Sequence, residues 1–203
     1  MWILIDNYDS FTHILLHYLQ QLQQNVRVYK NDEIAAGDID TLQPDAIIIS
    51  PGPGRPVNAG LTMEIIASFI GRIPILGICL GHQALGEYLG ADLVHADYPM
   101  HGKQSRIDLV TGTAVDLSGI TSPAIVMRYH SLVLERYRDI NGLIPLAYAT
   151  DDRALMMFYH AGYQCMGIQF HPESVGTEQG MLYLRAWYNW VFSDAQRKKF
   201  FNQ

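Results

Sequence analysis

The sequence predicts an α/β protein: a mostly parallel central sheet flanked by helices, with a smaller antiparallel portion in its second half. Three observations carry this. In the first half, short unbroken apolar runs alternate with helix-patterned stretches, and continuous apolar strands belong to a sheet covered on both faces. The second half breaks into short, turn-punctuated apolar segments with few helical patterns between them. Between the two, Gly77-Ile78-Cys79-Leu80-Gly81 leaves a strand and enters a helix, with a cysteine at the tip of the turn.

Element by element, Trp2-Ile3-Leu4-Ile5 reads as the first buried strand. Ser10 can cap a helix running to about Gln24, with Phe11, Ile14, Leu15, Tyr18, Leu19 and Leu22 on one face. Val26-Arg27-Val28-Tyr29 is the second strand and Ala46-Ile47-Ile48-Ile49 the third. A Pro/Gly loop and a helix around 61–70 follow. Residues 73–78 form the fourth strand, and Gln83, Ala84, Leu85, Tyr88 and Leu89 give the next stretch its helical spacing. Segments 93–95, 105–110, 124–128, 147–150, 154–159 and 164–170 are short and turn-punctuated, which suggests a mixed sheet with an antiparallel portion. A final helix runs from about Glu178 to Phe192, with Leu182, Tyr183, Ala186 and Trp190 as core contacts. No repeat, low-complexity tract or linker interrupts the chain, so residues 1–203 are read as one domain.

Composition narrows the function classes. The net charge is −6 and no dense Lys/Arg block occurs, which argues against a general nucleic-acid binder. The small cluster Arg197-Lys198-Lys199 reads as a solvated helix end. Two cysteines, Cys79 and Cys165, are too few for a disulfide-stapled fold of this size and suit a reducing, cytoplasmic setting. The N-terminus starts directly on a strand-like run without a signal peptide's basic start and long apolar core, and no apolar run approaches membrane-spanning length.

The turn at Cys79 has the form of a nucleophile elbow. Glycines at 77 and 81 let strand and helix pass closely. A helix N-terminus offers free amides and partial positive charge, which favour the thiolate form of a sulfur placed there. The Leu80 amide would point at an oxyanion formed beside that sulfur. The competing reading is a small buried apolar cysteine in a strand–helix turn.

A nucleophile needs a base, and His171 ranks first among eight histidines. It ends the strand-like run Met166-Gly167-Ile168-Gln169-Phe170, Pro172 stops the strand, and Glu173 follows. A carboxylate held near an imidazole fixes its tautomer and stabilises the imidazolium. His82 lies in the first helical turn and reads as structural. His130, after Arg128-Tyr129, could line the same cleft. No histidine pair has the spacing of a zinc site, and no metal or cofactor is expected. A second loop converges on the same edge: Ser50-Pro51-Gly52-Pro53-Gly54 is stiff, lacks the Lys-Ser/Thr ending of a phosphate loop, and can present the Gly52 amide as a second oxyanion donor.

These residues carry a resemblance. Gly77-Ile78-Cys79-Leu80-Gly81-His82-Gln83, Ser50-Pro51-Gly52-Pro53-Gly54 and Gly167-Ile168-Gln169-Phe170-His171-Pro172-Glu173-Ser174 look like the signatures of class I (triad-type) glutamine amidotransferases. Asp6-Asn7-Tyr8-Asp9-Ser10-Phe11, His101-Gly102-Lys103 and Arg128-Tyr129-His130-Ser131-Leu132 resemble the glutaminase components of anthranilate synthase and of aminodeoxychorismate synthase. The resemblance runs from the first strand to the last helix. It implies that Cys79 attacks the side-chain amide of L-glutamine, that His171 moves the protons and that Glu173 orients His171. It also implies that Gly52, Pro53, Gly54, Leu80, Gln83, Ser131 and Leu132 contact glutamine. Ammonia would pass to a separate chorismate-utilising synthase subunit, component I, faced by Asp6–Phe11 and the His101-Gly102-Lys103 loop.

The chain departs from the family pattern at three places. Arg55 and Gln104 stand where Thr is common, and Gly176 where a larger apolar residue is usual. None belongs to the triad, so partner contacts and fine specificity are what they affect. Anthranilate, for tryptophan biosynthesis, is the first reading of the product; the sequence does not separate it from aminodeoxychorismate, for folate biosynthesis, and one glutaminase can serve both. A non-catalytic module that keeps the fold and a stand-alone γ-glutamyl hydrolase are the remaining alternatives.

Overall fold

The computed structural model describes residues 1–23 and 25–192. Gln24 and the Arg197-Lys198-Lys199 cluster lie outside the described residues. The parallel part of the sheet is built from β1 (Trp2–Asp6), β2 (Val26–Lys30), β3 (Ala46–Ile49), β4 (Ile75–Ile78) and β9 (Cys165–Ile168). The antiparallel part adds β5 (Asp92–Leu109), β6 (Ala124–Glu135), β7 (Leu143–Ala149) and β8 (Leu155–His160). Among the described residues these nine strands form one sheet in the order β2-β1-β3-β4-β9-β8-β7-β5-β6.

The central parallel strands β3, β4 and β9 are apolar without interruption because both of their faces are buried, whereas the edge strand β2 carries Arg27 and Lys30 and is only partly buried. Side chains alternate across a strand. Trp2 and Leu4 therefore enter one core with Ile48, Leu76 and Ile78, under α1 (Thr12–Gln20) and α5 (Gly180–Phe192), through Leu15, Leu19, Leu184 and Trp187. Ile3 and Ile5 enter the opposite core with Ile47, Ile49 and Ile75. There they meet α2 (Ala36–Leu42), α3 (Thr62–Phe69) and α4 (Leu80–Leu89) through Ile39, Ile66, Phe69 and Leu85.

The structure changes several local expectations. Ser10 does not cap α1, which begins at Thr12. The entering turn is held instead by carboxylates: Asp6 Oδ1 accepts from the Asp9 amide at 3.2 Å and the Thr12 hydroxyl at 2.8 Å, and Asp9 Oδ1 accepts from the Phe11 amide at 2.8 Å. Helix α2 was not expected; it is seven residues long and buries Ile39 alone, too little for a periodic signal. The expected strands at 93–95 and 105–110 are one strand, β5, paired with β6 from Asp92↔Glu135 to Ile107↔Ala124 through two register shifts. His101-Gly102-Lys103 is therefore no loop. It sits at the second shift, where Gly102 takes a φ of 65° and the extra residue is absorbed as a bulge.

This long β5–β6 ribbon is what completes the site. Strands β1, β3, β4 and β9 end side by side, and their carboxyl-end loops form the crevice where open α/β sheets bind ligands. The segment after β9 is stitched onto β6: the His171 amide donates to Met127 O at 3.0 Å and the Glu178 amide to Ile125 O at 2.9 Å. Residues 128–132 thus arrive at the ends of strands far from them in sequence.

Candidate active site

Cys79 sits between β4 and α4 with φ 51° and ψ −98°, a backbone conformation that a non-glycine residue rarely adopts. Its amide donates to Ile168 O at 2.8 Å and its carbonyl accepts from the Gln83 amide at 3.1 Å. The strained residue is thus tied to β9 on one side and to the first turn of α4 on the other. Backbone strain of this kind persists only where the surroundings over-determine it.

His171 faces the elbow from the end of the β9 segment. Its Nδ1 lies 2.6 Å from Glu173 Oε1, and both side chains are buried. Burial pulls the His171 pKa down, but the Cys79 sulfur and the Glu173 carboxylate outweigh it and hold the pKa well above the ordinary value. Apart from its interaction with the Cys79 sulfur, its Nε2 is buried with no hydrogen-bond partner, which leaves it free for acid–base work at that atom. Phe11 and Tyr129 pack edge-on against the ring, with centroids 5.5 and 5.0 Å away. The turn carrying the pair is pinned by Thr177, whose hydroxyl donates to His171 O at 2.6 Å and accepts from the Met127 amide at 2.9 Å.

The loop after β3 lies against the same elbow. A Cβ on Gly52 would stand 2.5 Å from Asn7 Cβ and 3.4 Å from a Leu80 methyl, so Gly52 runs closely beside Leu80. Asn7 locks that loop. Its amide donates to Ser50 Oγ at 2.8 Å, its Nδ2 donates to Ser50 O at 2.9 Å, and its Oδ1 accepts from Asn31 Nδ2 and Thr62 Oγ1. Pro53 and Gly54 continue into solvent. Gln83 and Leu132 meet directly, Gln83 Nε2 donating to Leu132 O at 3.1 Å, and Ser131 is half-buried next to them on β6.

The remaining histidines separate by environment. His82 is fully buried against Phe158, and burial pushes its pKa down to about 3. His130 is buried and its pKa is likewise pushed down to about 3, by burial and by the neighbouring Arg128. Arg128 itself is fully buried and paired with Asp151 and Asp152. Two of the three departures touch each other: Gln104 Nε2 donates to Gly176 O at 2.9 Å. Arg55 donates to Leu93 O at 3.2 Å. Among the described residues, no group of three or more His, Cys, Asp or Glu side chains is arranged to hold a metal ion.

The structure therefore brings Cys79, His171, Glu173, Leu80, Gly52, Gln83 and Leu132 into one cluster of contacts, with Pro53 and Gly54 exposed beyond Gly52 and Ser131 beside Leu132. The sequence reading missed Asn7 as the lock of the Gly52 loop. It also missed Gln169, a polar residue in an apolar run, which is fully buried and donates to Cys79 Sγ at 3.8 Å.

A family model described as glutamine amidotransferase class-I matches residues 3–190. The bifunctional protein TrpGD of Thermotoga maritima is 40% identical over 97% of this chain, which spans only 33% of that protein. Anthranilate synthase component 2 of Pseudomonas putida is 42% identical, covering 88% of this chain and 91% of its own. Aminodeoxychorismate synthase component 2 of Escherichia coli is 43% identical, covering 89% and 95%. A Thermoplasma acidophilum protein solved as a candidate GMP synthase subunit superposes with a TM-score of 0.83 at 23% identity, over 98% of this chain and 96% of that one. That likeness shows a shared fold.

Proposed function

The chain belongs to the class-I glutamine amidotransferase family, and on that premise we propose that it is the glutaminase component of an anthranilate or aminodeoxychorismate synthase. The observation that carries the reading is the convergence of a strained cysteine, a carboxylate-held imidazole and a close Gly52–Leu80 approach at one crevice. A non-catalytic module has no need of all three.

In the proposed reaction the Cys79 thiolate attacks the side-chain carbonyl carbon of L-glutamine. The C–O π pair moves onto oxygen, where the Leu80 and Gly52 amides stabilise the charge. His171 donates its Nε2 proton to the departing nitrogen, the C–N bond breaks and ammonia leaves. The γ-glutamyl thioester is then opened by water, whose proton returns to His171 as oxygen attacks. The C–S bond breaks, and glutamate and thiolate are restored. Glu173 keeps Nδ1 of His171 protonated throughout, so Nε2 is the nitrogen that shuttles. Pro53, Gly54, Gln83, Ser131 and Leu132 contact the substrate.

Ammonia is delivered to a chorismate-aminating component I. Asp6 and Asn7 are buried and hold the turn from inside, so of the expected Asp6–Phe11 surface only Tyr8–Phe11, together with the His101 bulge, is assigned to that partner. In support, Tyr8 is 55% exposed and Tyr98, three residues before His101, is 75% exposed. The 42% and 43% identities to proteins named for one synthase and for the other support either acceptor. A cytoplasmic setting fits the proposal; no helix among the described residues is long and apolar enough to cross a membrane.

The deciding experiment measures glutamine hydrolysis by the chain alone and with an anthranilate or aminodeoxychorismate component I. Activity should rise sharply with the partner and vanish in Cys79→Ser. Full activity in Cys79→Ser refutes the mechanism, and partner-independent cleavage of γ-glutamyl peptides as fast as glutamine refutes the subunit reading.

A further inference from the structure

A buried hydrogen-bond chain runs from the acidic pair at 151–152 to the nucleophilic sulfur, and its polarity is forced at every link. Arg128 can only donate. Its Nη2 donates to Asp152 Oδ2 at 2.6 Å and its Nε to His130 Nε2 at 3.0 Å. His130 Nε2 must therefore accept, which places the ring's proton on Nδ1. That Nδ1–H donates to Leu132 O at 2.9 Å. The same carbonyl, an acceptor only, takes the second donor, Gln83 Nε2, at 3.1 Å. Gln83 is thereby oriented with its NH₂ inward, and its other N–H reaches Gln169 Oε1 at 3.2 Å. Gln169 must then turn its own NH₂ away from Gln83, toward Cys79 Sγ at 3.8 Å.

We propose that Gln169 is a positioning residue that presents a carboxamide N–H to the Cys79 sulfur, and that Gln83 fixes the direction of this donation. Flipping the Gln169 amide would oppose two donors at Gln83 and point an oxygen lone pair at the sulfur, so both ends reject it. Gln169 and His171 flank the bend at Phe170 just past β9, and both side chains meet the Cys79 sulfur. The sulfur is therefore held between a proton-shuttling imidazole and a fixed neutral donor. A neutral donor favours the negative sulfur over the neutral thiol without competing for the proton His171 must deliver. Gln83 accordingly serves the sulfur through Gln169 as well as lining the crevice.

This rests on reading Cys79 as the nucleophile, but its test does not need turnover. The ionisable groups on the elements around Cys79 are His171 and Glu173 after β9, His82, Glu87 and Tyr88 on α4, and Arg128, Tyr129, His130 and Glu135 on β6. All are retained in the variants. The thiolate of the full-length chain is titrated by its ultraviolet absorbance, as the difference from Cys79→Ser. Cys165 stays silent because burial pushes its pKa up to about 12. Gln169→Leu should raise the titration midpoint by about one pH unit, the loss of one hydrogen bond to a charged group. Gln169→Glu, of the same shape, should raise it further, because it replaces the donor with a carboxylate. Gln83→Leu should give a smaller rise, and the double variant Gln83→Leu/Gln169→Leu no more than Gln169→Leu alone. If Gln169→Leu fails to fold, Gln169→Glu decides. A midpoint unchanged in either Gln169 variant, or additive shifts in the double variant, overturns the proposal. Loss of the glutaminase reading would appear separately, as glutamine hydrolysis that survives Cys79→Ser.

Discussion

A Cβ added to Gly77 would stand 2.3 Å from the carbonyl oxygen of Gly81 and 2.4 Å from its carbonyl carbon. Both atoms are backbone in the first turn of α4, and that turn cannot retreat. A Cβ on Gly81 would itself stand 2.5 Å from Ile49 O on β3. Strand, elbow and helix are therefore at their closest approach on either side of Cys79. Gly77→Ala should cost roughly 3 kcal/mol or more, or leave no folded protein. Gly37→Ala in α2, where a Cβ meets nothing within 4 Å, should instead gain up to about 1 kcal/mol. Denaturant midpoints of the two variants measure the contrast, and a wild-type midpoint for Gly77→Ala would mean the elbow is loose.

Glu173 acts through His171. The 2.6 Å contact between Oε1 and Nδ1 is buried, so solvent cannot replace it. Glu173→Gln keeps the shape and removes the charge, and its amide can stabilise the wrong imidazole tautomer. The expected outcome is a fall in kcat for glutamine hydrolysis on the order of 10²- to 10⁴-fold with little change in KM. Steady-state kinetics in the presence of component I separate the two constants. A defect confined to KM would move Glu173 from orienting the base to binding substrate.

The parallel strands and the elbow were legible because their signals are local: an unbroken Ile47-Ile48-Ile49 run, or glycines two residues on either side of a cysteine. Residues 96–104 were not legible as strand. Most are exposed in an irregular two-stranded ribbon and show no apolar alternation. The place of His130 was only half legible. Its motif marked it as a cleft residue, but its fixed tautomer depends on Arg128 and on a buried carbonyl. Gln169 was hidden for a similar reason: its partner Gln83 is 86 residues away, and that partner's anchor, Leu132 O, another 49 from Gln83. Contacts between distant segments decide such roles, and single-sequence periodicity does not report them.

The two buried neutral histidines make stability depend on acid. His82 and His130 have pKa values pushed down to about 3, against 6.5 when unfolded. Between those limits the unfolded chain binds more protons than the folded one, so stability rises with pH. It is fully present above the unfolded value and drains away as pH falls from 6.5 toward 3, at up to about 1.4 kcal/mol per pH unit for each histidine. Asp6, paired with Lys30, adds its own loss only below its unfolded value of 3.8. Unfolding free energies measured from pH 7 down to about pH 4 should show this slope. His82→Gln should flatten it by about one proton's worth. An unchanged slope in that variant would show that His82 charges freely in the folded protein.

Gly180 controls the catalytic pair from the outside. It is the first residue of α5, and a Cβ there would stand 1.8 Å from Pro172 O. Pro172 is the residue between His171 and Glu173, so the clash falls on the peptide that sets their mutual orientation. The neighbouring backbone cannot absorb it, because the His171 amide and carbonyl are already bound to Met127 O and Thr177 Oγ1. Gly176 is the useful contrast. A Cβ there would meet Met127 Cε at 2.2 Å, but that atom is the tip of a flexible side chain and can swing away. Gly180→Ala should therefore lower kcat by about tenfold or more even where the protein remains folded, since small misplacements of catalytic groups are costly. Gly176→Ala should keep kcat within about twofold and cost less than about 1 kcal/mol. Measuring kcat and Tm side by side distinguishes a strap that fixes geometry from one that only adds stability. Wild-type kcat in Gly180→Ala would show that the His171–Glu173 orientation does not depend on this contact.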